Sequence, residues 1–263
     1  MKLQNLPQLI LVLTYFLAFR SWAWILYKFC SDRTRWRQRA IRFTGTMSRI
    51  ISKKLDFHVT LKGAEHLEQM KNTSCLLVAN HCSYMDILLL ASHQPASFIT
   101  SVEMGNTPFL GTITRVGGSL YTERDTPVSL PQEIKRFAQA IKEGFKVVLF
   151  PEGTSTDGST IKDFRSSLFQ VAVEAKCPIL PICIKYTHID RQPFGRDNHK
   201  LICWYGNMEF MSHFLAMMGH RFDVEITVLP PIAYDANNTR ADLSRQVRNQ
   251  LLEIYHNTPT TGE

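Results

Sequence analysis

Several large classes of protein are excluded by what this 263-residue chain lacks. Its six cysteines (Cys30, Cys75, Cys82, Cys177, Cys183 and Cys203) form no Cys-x-x-Cys pair and no disulfide-framework spacing. That excludes a stapled secreted scaffold and fits a reduced, cytosol-facing chain. There is no internal repeat and no low-complexity segment. No Gly-x-Ser-x-Gly elbow is present, so the strained serine nucleophile of the α/β-hydrolases is missing. No metal is expected, because His81 and Asp86 find no third ligand at a recognisable spacing. Nothing resembles a nucleic-acid-binding module, although the chain is basic.

Acidic residues number 23 against 30 lysines and arginines, a formal net charge of +7. With nucleic acid set aside, that balance suits an anionic membrane surface or a phosphorylated substrate. Hydrophobic residues make up 44% and charged residues 20%, the composition of neither a disordered chain nor a polytopic membrane protein. The length accommodates one large domain with an appendage.

The appendage is expected at the N-terminus. Leu9 to Phe19 is strongly apolar, Arg20 interrupts it, and Ser21 to Phe29 resumes it with Trp22, Trp24 and Tyr27. A single Lys2 and a bulky region around Ala23 make a poor secretory signal. Arg33, Arg35, Arg37, Arg39 and Arg42 follow as a basic flank, suited to holding the following domain in the cytoplasm or to meeting anionic lipid heads. Residues 1–56 are therefore expected to be a membrane-anchoring helix or hairpin, a span and a re-entrant turn both being open. Residues 57–263 are the expected catalytic domain.

Downstream, apolar runs alternate with helical periodicity. Helices are expected from Trp36 to Leu55, Pro108 to Val116, Leu130 to Glu143 with Gly144 closing, Phe164 to Ala175, and Ala241 to Tyr255. Strands are expected at Phe57–Leu61, Ser97–Val102, Leu120–Thr122, Ile179–Tyr186, Leu201–Tyr205 and Val224–Leu229. The alternation predicts an α/β fold with a mixed, mostly parallel sheet flanked by helices.

Two stretches carry the chemistry. In the first, Leu76 to Leu90, a short apolar strand runs into Asn80 and His81, and a helix follows from about Ser83. His81 thus sits where a strand ends and a helix begins, and Asp86 falls in the first helical turn, within reach of the imidazole. A carboxylate there fixes the tautomer of a histidine acting as a base. In the second, the strand Lys146 to Phe150 runs into Pro151-Glu152-Gly153-Thr154-Ser155-Thr156-Asp157-Gly158, a tight turn whose backbone N–H groups suit an oxyanion or phosphate. Taken singly, each stretch also reads as an ordinary helix-start carboxylate or glycine turn.

Together, His81-x-x-x-x-Asp86 and Phe150-Pro151-Glu152-Gly153-Thr154 resemble the glycerolipid acyltransferase family of the 1-acylglycerol-3-phosphate acyltransferase type. Gly118 to Arg124 and Ile179-Leu180-Pro181-Ile182 are similar to two further blocks of that family, in its order. The resemblance implies a membrane-associated O-acyltransferase that needs no cofactor and uses acyl-CoA or acyl carrier protein as co-substrate. It implies His81 and Asp86 as catalytic residues, and Arg124, Glu152, Gly153 and Thr154 as residues that bind the lysolipid acceptor. Arg124 is then the phosphate ligand, guanidinium being matched to phosphate. The leading acceptor is 1-acylglycerol 3-phosphate, with a lysophospholipid or an amino-acid lysolipid as the alternative. Ser155 to Gly158 departs from the pattern, since many members carry a basic residue directly after the threonine. A covalent role for Cys82 is disfavoured, because adjacent side chains diverge and the resemblance implies direct transfer. Two other classes remain: a non-catalytic lipid-binding protein on the same fold, and a histidine-dependent esterase or phosphatase.

Overall fold

The computed structural model of the protein describes residues 6–30, 32–107, 110–123 and 129–257. In chain order, α1 (Leu6–Phe29) and α2 (Arg33–Lys54) precede β1 (Phe57–Lys62), α3 (Ala64–Gln69), β2 (Leu76–Ala79) and α4 (Met85–His93). Next come β3 (Ser97–Ser101), α5 (Val102–Asn106), α6 (Leu110–Val116), β4 (Leu120–Thr122), α7 (Leu130–Lys142) and β5 (Val147–Leu149). A 3-10 turn at Ser166–Phe169 leads into α8 (Gln170–Ala175), β6 (Ile179–Ile189) and β7 (Gln192–Pro193). After a second 3-10 turn at His199–Leu201 come α9 (Phe210–Met217), β8 (Phe222–Val228) and α10 (Arg240–Asn257).

The strands form one sheet in the order β1-β8-β6-β2-β5-β3-β4, with β7 paired to β6. β6 runs antiparallel to β8 and β7, and every other pairing is parallel. The expected mixed, mostly parallel α/β sheet is what forms. Its centre follows from composition: Leu76, Leu77, Val78 and Ala79 of β2 and Val147, Val148 and Leu149 of β5 are all buried. Strands apolar on both faces need helices on both faces.

One face packs beneath α4 and α9, with Met85, Leu89, Phe214 and Met217 against Leu77, Ile182 and Tyr186. The other packs beneath α7, α8 and α10, with Phe137, Ile141, Val171, Val247 and Leu251 against Val78, Leu149 and Ile179. α7 has the apolar spacing expected of it, burying Ile134, Phe137, Ala138 and Ile141 along one stripe. Gly144, at φ +93°, takes the left-handed conformation that ends it.

At the N-terminus, the helix pair is present but the span is not. Among the described residues no helix is long and apolar enough to cross a membrane; the charge of Arg20 interrupts α1 midway. α1 instead turns Val12 and Phe19 inward, and Phe19 and Trp22 stack on Phe43 of α2 with ring centroids 5.5 and 3.8 Å away. Ile10, Leu13, Leu17, Trp24, Ile25 and Phe29 stay exposed. The basic flank opens α2, capped by Asp32, whose carboxylate accepts from the N–H groups of Thr34 and Arg35. Arg37 leaves that solvated row, donating to the Gly118 carbonyl at 3.3 Å.

Other expectations change. Leu201–Tyr205 is no strand. Its apolar residues Ile202 and Cys203 are buried, but their N–H groups bond back to the His199 carbonyl, and Trp204 N–H bonds to the Cys82 carbonyl at 2.8 Å. A short apolar run satisfies a strand pattern and a buried turn equally well. The helix expected over 164–175 begins as a 3-10 turn and becomes α-helical only at Gln170. Residues 108 and 109 of the helix expected from Pro108 lie outside the described residues; the helix runs from Leu110.

Candidate active site

The parallel register of β2 and β5 joins the two stretches. Leu76 pairs with Val147 and Val78 with Leu149, so both strands leave the sheet at the same edge. Carried forward three residues on each strand, this pairing brings His81 level with Glu152. The two meet there: Glu152 Oε1 accepts from His81 N–H at 2.7 Å, and Oε2 accepts from Lys162 N–H at 2.9 Å. Glu152 is buried, and it braces the backbone at His81. Thr156 completes the brace, its N–H and hydroxyl donating to the His81 carbonyl at 3.0 and 3.2 Å. No local pattern singles out Thr156 for this role.

His81 and Asp86 meet as expected. His81 Nδ1–H donates to Asp86 Oδ2 at 2.8 Å, the imidazole being 15% exposed and the carboxylate 0%. The ring stacks on Phe150, centroids 4.2 Å apart. Asp86 Oδ2 also accepts from the N–H groups of Cys82 and Ser83, at 2.8 and 2.9 Å. The first turn of α4 therefore folds its own carboxylate back over the preceding loop. With Nδ1 committed to Asp86, Nε2 is the ring nitrogen left to take a proton.

Asn80 is a third fixing point. Its amide donates to the Ile184 carbonyl and accepts from Ile184 N–H, both at 2.8 Å. The side chain thus extends the pairing of β2 with β6 by one step. A lone polar residue at the end of an apolar strand was the only signal for it.

Cys82 is buried, and its thiol is pushed well above its ordinary value by the hydrogen bond to Cys203, by burial and by Asp86 nearby. A thiolate is disfavoured there. The turn amides expected to receive an oxyanion are partly taken: those of His81, Cys82, Ser83, Gly153 and Thr156 bond to Glu152, to Asp86 twice, to the Phe150 carbonyl and to the His81 carbonyl.

Gly153 sits at φ +74°, and a Cβ there would lie 2.6 Å from Arg165 Nε. The turn therefore needs glycine both for its backbone and for the guanidinium lying over it. Thr154 is exposed beside it. Ser155 points back inward and donates to the Trp204 carbonyl. Arg124 lies outside the described residues. Glu133, on the helix that follows, holds both flanks of that segment, accepting from Glu123 N–H at 2.8 Å and from the Ser129 hydroxyl at 3.2 Å.

Burial lifts the Glu152 carboxyl to about 7, against the lowering effect of the Lys162 and His81 N–H groups. Being raised above its ordinary 4.5, the folded chain holds this proton more tightly than the unfolded chain. The stability so conferred is complete below about pH 4.5 and is lost as pH rises through about 7. Relative to a Glu152→Gln variant, wild type is expected to lose up to about 3 kcal/mol between pH 4.5 and 8. Urea denaturation at both pH values measures it, and a gap that stays constant or moves the other way would contradict the assignment.

The Acyltransferase family model matches residues 58–185, from β1 into β6, and so takes in both turns. A lyso-ornithine lipid O-acyltransferase of Rhizobium meliloti is 29% identical over 197 residues, 72% of this chain and 68% of that protein. A protein of the same name from Pseudomonas aeruginosa is 30% identical over 222 residues, 84% of this chain and 80% of that one. The crystal structure of the 1-acyl-sn-glycerophosphate (LPA) acyltransferase of Thermotoga maritima superposes with a TM-score of 0.70 at 19% identity, over 96% of this chain and 93% of that one. At that identity the likeness is one of fold. The similarity over most of both chains, with a histidine and carboxylate joined at the edge of the sheet, shows that this chain belongs to the acyltransferase family.

Proposed function

We propose that the chain transfers a fatty acyl group from a thioester, acyl-CoA or acyl carrier protein, to the hydroxyl of a lyso-ornithine lipid. The observation that carries the acceptor is that relatives matched over most of their length bear that name. Relatives named for the glycerophosphate acceptor are matched over less than half of their length, and the solved structure of that name supports the fold alone. The amino-acid lysolipid therefore stands ahead of 1-acylglycerol 3-phosphate. Ser155 agrees with this order: where a basic residue would serve a phosphate, a serine turns away to the Trp204 carbonyl.

In this reading His81 is the general base and Asp86 orients it. The acceptor oxygen attacks the thioester carbonyl carbon while His81 Nε2 takes the hydroxyl proton. The imidazolium is stabilised by Asp86. When the carbon–sulfur bond breaks, the thiolate leaves and takes up that proton, returning His81 to its neutral form. Glu152 and Thr156 hold the His81 backbone, and Gly153, Thr154 and Arg124 flank the acceptor. α1 and α2 form the part that rests on the membrane interface: the exposed apolar face of α1 meets acyl chains and the arginines of α2 meet anionic heads. The catalytic part, residues 57–263, then works on the cytoplasmic side.

The test compares kcat/KM of purified protein in mixed micelles for lyso-ornithine lipid, 1-acylglycerol 3-phosphate and lysophosphatidylcholine, with each thioester in turn. At least about ten-fold preference for lyso-ornithine lipid is expected, one ionic contact's worth of discrimination. Preference for 1-acylglycerol 3-phosphate would overturn the acceptor and keep the chemistry. Transfer to none of them from either donor would favour a lipid-binding protein.

A further inference from the structure

The Asp86 carboxylate has a second oxygen, and its partner comes from across the sheet. Tyr186 Oη donates to Asp86 Oδ1 at 2.7 Å, from 100 residues away on β6. Both side chains are buried, at 2% and 0% exposure. Four donors thus converge on one carboxyl: the imidazole, two backbone N–H groups and a phenol. That is the pattern of an ionised acceptor filled on both oxygens.

Tyr186 reaches this place through two features of β6. Leu180, Ile182, Ile184 and Tyr186 all pack into the core on the α4 side, and the clasp of Asn80 on Ile184 fixes that register two residues before the tyrosine. The pairing of β6 with β8 then shifts between Tyr186 and His188. This bulge falls directly after the tyrosine, where bulges serve to re-aim a side chain. Burial, with Asp86 beside it, pushes the phenol well above its ordinary value, so it remains a donor.

We propose that Tyr186 is a positioning residue for acyl transfer, setting through Asp86 both the orientation of His81 and its readiness to take a proton. The inference rests on His81 acting as the base. A donor on Oδ1 draws charge from the carboxylate and so weakens its hold on an imidazolium. Removing that donor leaves a more concentrated charge beside Nδ1 and one oxygen free to swing. His81 is then protonated at higher pH and held less firmly. Other titratable groups that act on Asp86 or Tyr186 are the thiols of Cys82 and Cys203, the Tyr255 phenol and the Glu152 carboxyl. Glu152 braces the His81 backbone from the other side.

The experiment measures kcat, KM and the pH profile of kcat/KM for Tyr186→Phe, beside wild type and His81→Ala, with the His81 ring signal followed by NMR. Tyr186→Phe is expected to lower kcat about ten-fold with KM for the acceptor unchanged. It is expected to move the acid limb, and the His81 titration with it, upward by about half a pH unit. 3-Fluorotyrosine in place of Tyr186, a stronger donor of nearly the same shape, is expected to move both downward. A limb that arose from Glu152, whose carboxyl also feels Asp86, would be absent from Glu152→Gln. Activity is referred to the folded fraction measured by circular dichroism, so lost stability does not pass for lost catalysis. The proposal is overturned if kcat and the limb stay at wild-type values, if both substitutions move the limb the same way, or if the loss appears in KM. Should His81→Ala retain activity, the reading of His81 as base fails first; should it be inactive while Tyr186→Phe behaves as wild type, the present inference alone fails.

Discussion

Replacing His81 with alanine is expected to lower kcat about a thousand-fold and to leave the fold standing. The magnitude is that of a general base in a reaction whose nucleophile is a neutral alcohol. The fold survives because the turn is held by backbone contacts the alanine retains: His81 N–H to Glu152 and Thr156 N–H to the His81 carbonyl. What goes is the imidazole, its bond to Asp86 and its stack on Phe150. KM for either substrate should change little, since the base works on the transition state. Thiol release by the variant, with circular dichroism alongside, measures this. A loss of less than about ten-fold would remove His81 from the chemistry.

The second large effect belongs to Asp86→Asn. The side chains have nearly the same shape, but an amide supplies one acceptor where the site presents three donors to Oδ2 and a fourth to Oδ1. If the amide nitrogen faces Nδ1, His81 is driven to the tautomer that protonates Nε2, and the base is lost. If the amide oxygen faces it, the amide N–H points at the Tyr186 hydroxyl and the stabilising charge is gone. Either way kcat should fall by about a hundred-fold or more. Because Asp86 is wholly buried, stability should also fall, on the order of 3 kcal/mol. Asp86→Asn is therefore expected to unfold at lower urea than His81→Ala although it alters fewer atoms. The reverse order would mean that the carboxylate is not the anchor of this turn.

How much of the site was legible depends on how far apart in sequence its partners lie. His81 and Asp86 are five residues apart within one strand–helix turn, and turn chemistry alone brought them together. Glu152 was legible as part of a resemblance, but its brace on His81 was not, because that contact exists only through the register of β2 on β5. Asn80, Thr156 and Tyr186 were passed over for the same reason. Their partners stand 104, 75 and 100 residues away, and no local pattern encodes such a distance. The sheet was read well where strands are wholly apolar, as in β2 and β5. It was misread at Leu201–Tyr205, where buried Ile202 and Cys203 cover the site from a turn. Helix α9, from Phe210 to Met217, had no expectation against it; its packing on Tyr84, with His213 Nδ1 2.9 Å from the tyrosine hydroxyl, is a tertiary fact. At the N-terminus the apolar run of α1 was plain, while its pairing with α2 through Phe43 was not.

Acyl transfer is tested most directly by the fate of the acyl group. Purified protein would be given an isotope-labelled long-chain acyl-CoA and lyso-ornithine lipid, and thiol release would be followed alongside mass-spectrometric identification of the product. One labelled ester on the lysolipid is expected for each thiol released, with negligible thiol release without the acceptor. Label appearing as free fatty acid at an undiminished rate when the lysolipid is withheld would contradict it, and would make the protein a thioester hydrolase.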